Sequence, residues 1–415
     1  MSNIYFLLNT LLLLFFTLNK QSLVLTREAL AELWNVNDAE ILNLLAIEEQ
    51  LIIVDRTLQL LLESYESSFG GTYIDVKKEK VLINTVDSSK VPIILNSPEI
   101  KLNNYSRFLD FVPAEKSFTK LKYNFIKISD LIKKYRPFQI QCYIDMKLNN
   151  IVIGYTNKYS DPNRKFIKSA EKYKPIFIRL RNQDPEDEKP KAFQAQIASR
   201  DIDIIPKIFN GDGITTFEND CSMGFPARNN DLIYIVTAAH CYKENKLFYH
   251  IPWNSNKVYA QLGQMIKSEH MAEYDFGLIK LDENATKLIS TRIRNTDSEH
   301  AELNVEGGRI ITSHGAHACK SGLTTHVTCG YVVGLNAIVT YIDSKIVENL
   351  VLYGKENSTI SKGGDSGGSV FSYLQTLSNV SLNGIHIGRS IDLSTYLPLD
   401  LILSKGEIEL VKTPL

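Results

Sequence analysis

The spacing of apolar residues separates an N-terminal part, which mixes helices and strands, from a C-terminal part that is rich in strands. Between residues 37 and 65, apolar positions recur at helical spacing and predict a long helix. Asn37 is the candidate N-cap of this helix, and Glu40 would complete a capping box. From Ile204 onward, strand-like runs alternate with Gly, Asn and Asp turns, and helical periodicity returns only around residues 399–410.

One hairpin pattern occurs twice in the N-terminal part. The motif Tyr-Ile-Asp-x-Lys at 73–77 is followed by an apolar triplet, and the same motif at 143–147 is followed by a triplet at the same distance. A helical stretch around 121–135 precedes the second copy. Hairpins commonly look alike, but the register of Tyr, Ile, Asp and Lys is kept here. We therefore expect two helix-plus-hairpin units.

These units belong to a segment that we expect to be α+β and to span residues 23–200. It ends in a charged, proline-bearing linker at 184–191. Before it, residues 1–22 carry an apolar run that is short for a membrane helix and suits an export signal, although no basic residue precedes the run. A membrane anchor or a buried helix is the alternative. No later stretch is long and apolar enough to span a bilayer.

Three separated segments of the chain carry the side chains of a nucleophilic mechanism. Ser366 lies in Gly-Gly-Asp-Ser-Gly-Gly, where glycines let the backbone turn so that two N–H groups can point at one spot. His240 ends the apolar run Ile-Val-Thr-Ala-Ala-His-Cys. Asp275 lies in an apolar run, where a carboxylate needs a partner such as an imidazole N–H. The chain order His240, Asp275, Ser366 is one that serine triads use.

Together these motifs resemble those of the trypsin/chymotrypsin family of serine proteases. The resemblance covers nearly all of residues 204–410, and it implies that residues 204–415 fold as two antiparallel β-barrels with a closing helix. It implies that Ser366 is the nucleophile, that His240 takes its proton and that Asp275 orients the imidazole. The N–H groups of Gly364 and Ser366 would form the oxyanion hole.

Segments at 210–216, 221–226 and 319–325 resemble the streptogrisin and α-lytic branch of that family. In this branch a basic side chain after a loop cysteine neutralises the aspartate beside the nucleophile. Lys320 and Asp365 stand at these positions, although arginine is usual at the first. An exposed turn lysine is the alternative interpretation of Lys320.

The chain has five cysteines, and four of them lie in the same part of the chain as the triad motifs. Local pairing would join Cys221 to Cys241 and Cys319 to Cys329. The first pair matches the resembled family, in which the cysteine after the histidine pairs with one shortly upstream. Cys142 would remain as a buried thiol.

In the resembled family, the strand after the serine forms a wall of the primary specificity pocket. Ile387 stands where many members have serine, and Arg389 replaces a glycine. Ile360 is not the aspartate of trypsin-like pockets, so cleavage after Lys or Arg is not expected. His386 resembles the histidine of glutamyl endopeptidases that faces an acidic substrate side chain, with Gly388 and Arg389 completing the pocket. A core histidine is the alternative.

The branch resemblance also implies that residues 23–200 act as a prosegment that assists folding and then inhibits the enzyme. Such help is useful to a β-barrel protein, whose non-local contacts form slowly. An adaptor domain that stays attached is the alternative. Maturation would then cleave the chain between the linker and Asn210.

The remaining features narrow the functional class. The net charge is −1, so no nucleic-acid partner is expected, and we expect no cofactor. The other histidines lack spaced partners, so we expect no metal site and place them on the surface or in loops; they are His250, His270, His300, His314, His317 and His326. Glycosylation triplets begin at Asn104, Asn284, Asn357 and Asn379.

The sequence therefore predicts a secreted, monomeric, glycosylated serine endopeptidase that acts on protein or peptide substrates and no longer contacts a membrane once its signal is removed. The alternative is a protease-fold binding protein without catalysis. Inactive proteins of that kind usually lack a triad member, whereas this chain has all three.

Overall fold

The structure of the protein is a computed structural model. It describes residues 28–157, 159–180, 196–197, 207–255, 257–266, 269–296, 299–341, 343–356, 358–389 and 393–412. The expected signal at 1–22, the linker at 184–191 and most of the segment expected to be cleaved lie outside these residues.

The N-terminal part consists of helices and short strands in a repeated order. Its helices are α1 (Ala29–Trp34), α2 (Ile41–Leu62), α3 (Val91–Asn96), α4 (Pro98–Leu102), α5 (Phe118–Tyr135) and α6 (Asp161–Ala170). Its strands are β1 (Phe69–Asp75), β2 (Lys80–Thr85), β3 (Leu109–Pro113), β4 (Ile140–Asp145), β5 (Asn150–Tyr155) and β6 (Ile176–Arg179).

Each half of this part contains a long helix, a hairpin, a further helical segment and a third strand. The hairpins pair β1 with β2 and β4 with β5, both antiparallel. The third strands, β3 and β6, run parallel to the second strand of each hairpin. The repeated Tyr-Ile-Asp motif ends the first strand of each hairpin, where the chain turns back.

A side-chain cap is present at the start of helix α5 and absent at the start of helix α2. The Ser117 hydroxyl accepts a hydrogen bond from the Lys120 N–H and caps α5. The capping box that we expected at Asn37 and Glu40 is wrong, because a 3₁₀ turn separates Asn37 from α2 and its side chain makes no capping bond. Helix α2 therefore begins at Ile41 without a side-chain cap.

The C-terminal part is almost entirely strands, as the expected all-β domain requires. The strands are β7 (Gln196–Ile197), β8 (Ile208–Asn210), β9 (Gly213–Thr215), β10 (Asp220–Ser222), β11 (Phe225–Asn229), β12 (Leu232–Thr237), β13 (Leu247–Ile251), β14 (Lys257–Val258), β15 (Ala260–Met265), β16 (Gly277–Leu281), β17 (Ile289–Arg294), β18 (Glu302–Gly308), β19 (His317–Gly322), β20 (His326–Thr340), β21 (Ile346–Gly354), β22 (Ser369–Tyr373), β23 (Asn379–Arg389), β24 (Ser394–Pro398) and β25 (Glu409–Leu410). The helices that the structure describes in this part are short, namely α7 (Glu269–Tyr274), α8 (Glu283–Thr286) and α9 (Leu399–Gly406).

Most of these strands belong to two large sheets, while β7 and β14 pair with each other. One sheet has eight strands in the order β10-β9-β13-β15-β16-β12-β11-β25. The other has twelve, with β20-β19-β22-β23 at its centre and β21 and β24 attached beside them. The expected fold class, an all-β domain preceded by an α+β segment, is confirmed. The closing helix is shorter than expected, because Glu407 turns left-handed after α9 and β25 follows.

The N-terminal part joins the second sheet directly. Strand β4 pairs antiparallel with the far end of β20, where Cys142 lies opposite Ile338. Helix α2 packs on the segment before β19, where the buried Glu48 carboxylate accepts the His317 N–H at 2.8 Å. The two parts therefore share a sheet and a hydrophobic core among the described residues.

Candidate active site

The structure places His240 and Asp275 in direct contact. His240 lies in a 3₁₀ turn after β12, and Asp275 lies between α7 and β16. Asp275 accepts the His240 backbone N–H at 3.0 Å, and the ring Nδ1 lies 3.0 Å from Oδ2 and 3.1 Å from Oδ1. A carboxylate only accepts, so Nδ1 carries the hydrogen and Nε2 is left to accept a proton.

Solvent exposure differs sharply between the two side chains. Asp275 is 2% exposed, whereas the His240 side chain is 43% exposed. Desolvation of the ring lowers the pKa of His240, but the charge and hydrogen bond of Asp275 outweigh it and raise that pKa above its ordinary 6.5. This arrangement suits a base that accepts a proton and is stabilised as an imidazolium.

The loop around Ser366 presents two unpaired backbone donors. Gly364 and Gly367 have φ of 95° and 87°, a left-handed conformation that favours glycine. The N–H groups of Asp365 and Gly367 donate to backbone carbonyls at 3.1 and 2.7 Å. Among the described residues, the N–H groups of Gly364 and Ser366 have no acceptor. These two free donors, one of which belongs to the half-buried Ser366 itself, can bind an oxyanion.

The Ser366 hydroxyl is not hydrogen-bonded to the His240 ring within the described part of the chain. The loop nevertheless lies against the end of β12: a Cβ built on Gly367 would be 2.0 Å from Thr237 Oγ1 and 3.0 Å from the Ala238 nitrogen. The structure thus joins the histidine to the aspartate and brings the serine loop beside the turn that carries the histidine. Hydrogen bonds of a catalytic group often tighten only when substrate binds.

The Asp365 carboxylate is stabilised by a buried lysine and by several backbone N–H donors. Lys320 Nζ lies 3.3 Å from its Oδ2, and both side chains are fully buried. The N–H groups of Thr324, Thr325 and Lys362 donate to the carboxylate at 2.9, 3.0 and 2.8 Å. Burial alone raises the pKa of Asp365, but Lys320 and these donors reverse the effect, so the net pKa is lowered. The structure therefore brings Lys320 and Asp365 together as an ion pair.

The residues of the expected pocket differ in exposure. His386 is 2% exposed, while Gly388 and Arg389 are half-buried at the end of β23. Tyr353 O–H lies 3.2 Å from His386 Nδ1. Burial raises the pKa of Tyr353 and lowers that of His386 to about 3, so the phenol keeps its proton and the imidazole is neutral. When the phenol donates to Nδ1, the ring hydrogen lies on Nε2.

Both expected disulfides are confirmed. Cys221 bonds to Cys241, and Cys319 bonds to Cys329 across neighbouring positions of β19 and β20. Cys142 is a buried free thiol in β4, as expected. The first bridge fixes the turn that carries His240 to strand β10, and so bears directly on the site.

The placement of the other histidines on the surface or in loops is wrong for two of them. His250 and His317 are buried in strands β13 and β19, whereas His314 is buried but lies in the turn before β19. His250 Nε2 lies 3.0 Å from Asp212, a partner 38 residues away. His317 Nδ1 contacts Glu48 on α2. Such partners are separated in sequence, and only the tertiary structure shows them.

Part of the chain is similar to known proteins. Residues 214–394 match the family model described as Trypsin. Streptogrisin-A from Streptomyces griseus is 28% identical over 166 residues, which is 40% of this chain and 48% of that protein. Serine protease 1 from Streptomyces fradiae is 27% identical over 202 residues, or 48% of this chain and 47% of that protein. The chain thus spans about half the length of these relatives.

A further relative and two solved structures show similarity. Glutamyl endopeptidase 2 from Streptomyces griseus is 27% identical over 186 residues, which is 44% of this chain and 86% of that protein. Protease A of Thermobifida fusca has a TM-score of 0.39 and 20% identity, covering 50% of this chain and 100% of that one. A structure titled as a glutamic acid specific serine protease has a TM-score of 0.40 and 22% identity, covering 49% and 100%.

The fold and the arrangement of the site resemble those of serine proteases. Residues 214–394 are therefore similar to trypsin-family domains, and streptogrisin-A is one of the proteins that resemble this part of the chain. Among the described residues, no helix is both long enough and apolar enough to cross a bilayer.

Proposed function

We propose that this chain is a serine endopeptidase that cleaves peptide bonds through an acyl-enzyme. The contact between His240 and Asp275, beside a serine loop with two free N–H donors, is the observation that carries the proposal. His240 Nε2 takes the proton of the Ser366 hydroxyl as its oxygen attacks the substrate carbonyl. The carbonyl oxygen becomes an oxyanion that accepts the N–H groups of Gly364 and Ser366. The protonated His240 then gives its proton to the leaving amine, and water later releases the acyl group.

A fluorophosphonate probe tests this mechanism. The full chain is processed to release the trypsin-family domain, labelled and digested, and the modified residue is identified by mass spectrometry. We expect label on Ser366, and none in Ser366→Ala. Processed wild-type protein that stays unlabelled while cleaving no peptide would favour a binding protein of the same fold.

The chain is made, in this proposal, as a precursor whose N-terminal part serves as a folding and inhibitory prosegment. Support comes from strand β4, which pairs with the end of β20. The connection from β20 to β21 follows directly and lies near the site. A Cβ on Gly388 would lie 3.9 Å from the Tyr341 hydroxyl in that connection. The intact chain should react with the probe far more slowly than the processed chain. Equal rates would favour a permanently attached adaptor domain.

We further propose a preference for an acidic residue on the acyl side of the cleaved bond. The neutral His386 offers its Nε2–H as a donor, and Arg389 lies three residues further along β23 with a positive charge. A carboxylate accepts strongly from such groups. Cleavage of a peptide library measures which side chain this pocket prefers. Preferential cleavage after Glu would support the proposal, whereas cleavage after bulky apolar residues would contradict it.

We also propose that the protein is secreted. Two disulfides persist best in an oxidising compartment, and the apolar run at the start of the chain fits an export signal. Fractionation of cells that express the full chain should place the processed protein in the medium. Retention of a reduced protein inside the cells would contradict this.

A further inference from the structure

Two hydroxyl groups hold the peptide planes on either side of Gly364. Thr324 Oγ1 donates to the Gly363 carbonyl at 2.6 Å. Ser222 Oγ donates to the Gly364 carbonyl at 2.7 Å. The dihedral angles of Gly364 are the rotations between these two planes, so the two hydrogen bonds together fix its conformation.

The first of these bonds sets the direction of the Gly364 N–H. A peptide unit is planar and trans, so its C=O and N–H point in opposite directions. Holding the Gly363 carbonyl toward Thr324 therefore aims the Gly364 N–H to the opposite side. That side is where the oxyanion forms in the proposed mechanism, and the N–H has no other acceptor among the described residues.

Ser222 is itself held from several directions. It is fully buried, its N–H donates to the Ser366 carbonyl at 2.7 Å, and its hydroxyl accepts the Leu323 N–H at 2.9 Å. The Thr237 hydroxyl donates to its carbonyl at 2.8 Å. Ser222 follows Cys221, whose disulfide partner follows His240. One short segment therefore connects the histidine turn to the nucleophile loop.

We propose that Thr324 and Ser222 are positioning residues that keep the Gly364 N–H aimed at the oxyanion. The inference rests on the proposed serine protease function. Neither hydroxyl contacts the reacting atoms; both act through the backbone of the loop. Without them, Gly364 is free to rotate its flanking peptides, and the donor points at the oxyanion for only part of the time.

The sharpest variants are Thr324→Val, which removes the hydroxyl and keeps the branched shape, and Thr324→Ser, which keeps the hydroxyl. Thr324 is exposed, so neither substitution disturbs the packing of the hydrophobic core. Ser222→Ala is the second deletion, and Ser372→Ala is the matched control, because Ser372 is a buried serine whose hydroxyl donates to Asn383 away from this loop.

Removal of one oxyanion donor costs about 10² to 10³ in kcat, so a donor that is only misdirected should cost roughly tenfold. We expect that loss in processed Thr324→Val and Ser222→Ala, with KM unchanged. A peptide boronate should lose affinity by the same factor. Thr324→Ser and Ser372→Ala should keep full kcat. A Thr324→Val enzyme with wild-type kcat, or a Thr324→Ser enzyme as slow as Thr324→Val, would overturn the proposal.

A second measurement does not depend on catalysis. In the full-length Ser366→Ala chain, amide hydrogen exchange of the peptide spanning 360–368 should become faster when Thr324→Val or Ser222→Ala is added. Unchanged exchange would overturn the positioning role even in an active enzyme. Faster exchange in these variants, together with a processed wild-type protein that the fluorophosphonate fails to label, would instead retain the positioning role and remove the proposed protease function.

Discussion

The ion pair between Lys320 and Asp365 makes a prediction about stability that can be worked from the structure. Lys320→Met keeps most of the side-chain volume and removes the ammonium group 3.3 Å from the carboxylate. Both residues are fully buried, so this change leaves the Asp365 carboxyl group buried without a counter-charge.

Removing one member of a buried pair typically costs about 3–5 kcal/mol in the free energy of unfolding. Asp365 would keep its backbone donors from Thr324, Thr325 and Lys362, which still stabilise a carboxylate. We therefore expect the lower end of that range, about 3 kcal/mol. Adding Asp365→Asn to Lys320→Met should recover part of the loss, because no buried charge is then left unpaired.

Urea unfolding of the full chain, followed by tryptophan fluorescence, measures this difference. The matched control is Arg228→Met, which breaks an exposed pair with Glu409 and should cost less than about 1 kcal/mol. A Lys320→Met chain destabilised no more than this control would refute the reasoning.

The sign of the pH dependence is also fixed. The folded pKa of Asp365 is below its ordinary value of 3.8, so its stabilising contribution is complete above that pH. The contribution is lost as the pH falls through the lowered folded pKa.

Further predictions concern the histidine, its aspartate and the disulfide beside them. Activity should fall as acid protonates His240, with a midpoint above 6.5 because Asp275 raises its pKa. Asp275→Asn should lower kcat by about 10⁴ and move that midpoint to lower pH, which a pH–rate profile measures; an unmoved midpoint would contradict the assignment. Replacing Cys221 and Cys241 by serine should cost about 2–4 kcal/mol of unfolding free energy, and a loss below about 1 kcal/mol would contradict a stabilising bridge.

Much of the fold follows from local patterns in the sequence. Glycine and turn residues mark the strand-rich part, and the repeated Tyr-Ile-Asp motif marks the two hairpins at β1 and β4. These features depend on neighbours in the chain, so a single sequence shows them. The end of the closing helix depends instead on the pairing of β25 with β11, a contact between distant segments.

The site also contains residues that the sequence indicates and residues that it does not. His240, Asp275 and Ser366 stand in segments whose composition signals their chemistry. The partners that hold them do not: Thr324 and Ser222 are ordinary polar residues until the structure places their hydroxyls on the carbonyls of the serine loop. Because a backbone carbonyl has no sequence signature, such contacts can be found only in three dimensions.

Buried polar groups between the two parts of the chain were the least predictable. Asp55 is fully buried on α2, where its carboxylate accepts the Ser313 hydroxyl at 2.6 Å. From the sequence alone, an aspartate on an amphipathic helix is expected to face the solvent. Its partner lies 258 residues away, so neither residue alone indicates the contact.

The most direct measurement is an experimental structure of the processed chain with a peptide boronate bound. The account predicts a covalent bond from boron to Ser366 Oγ, with one boronate oxygen accepting the N–H groups of Gly364 and Ser366. His240 should lie within hydrogen-bond distance of the adduct and remain bonded to Asp275. A boronate attached to another residue, or a Ser366 adduct with His240 turned away from it, would contradict the account.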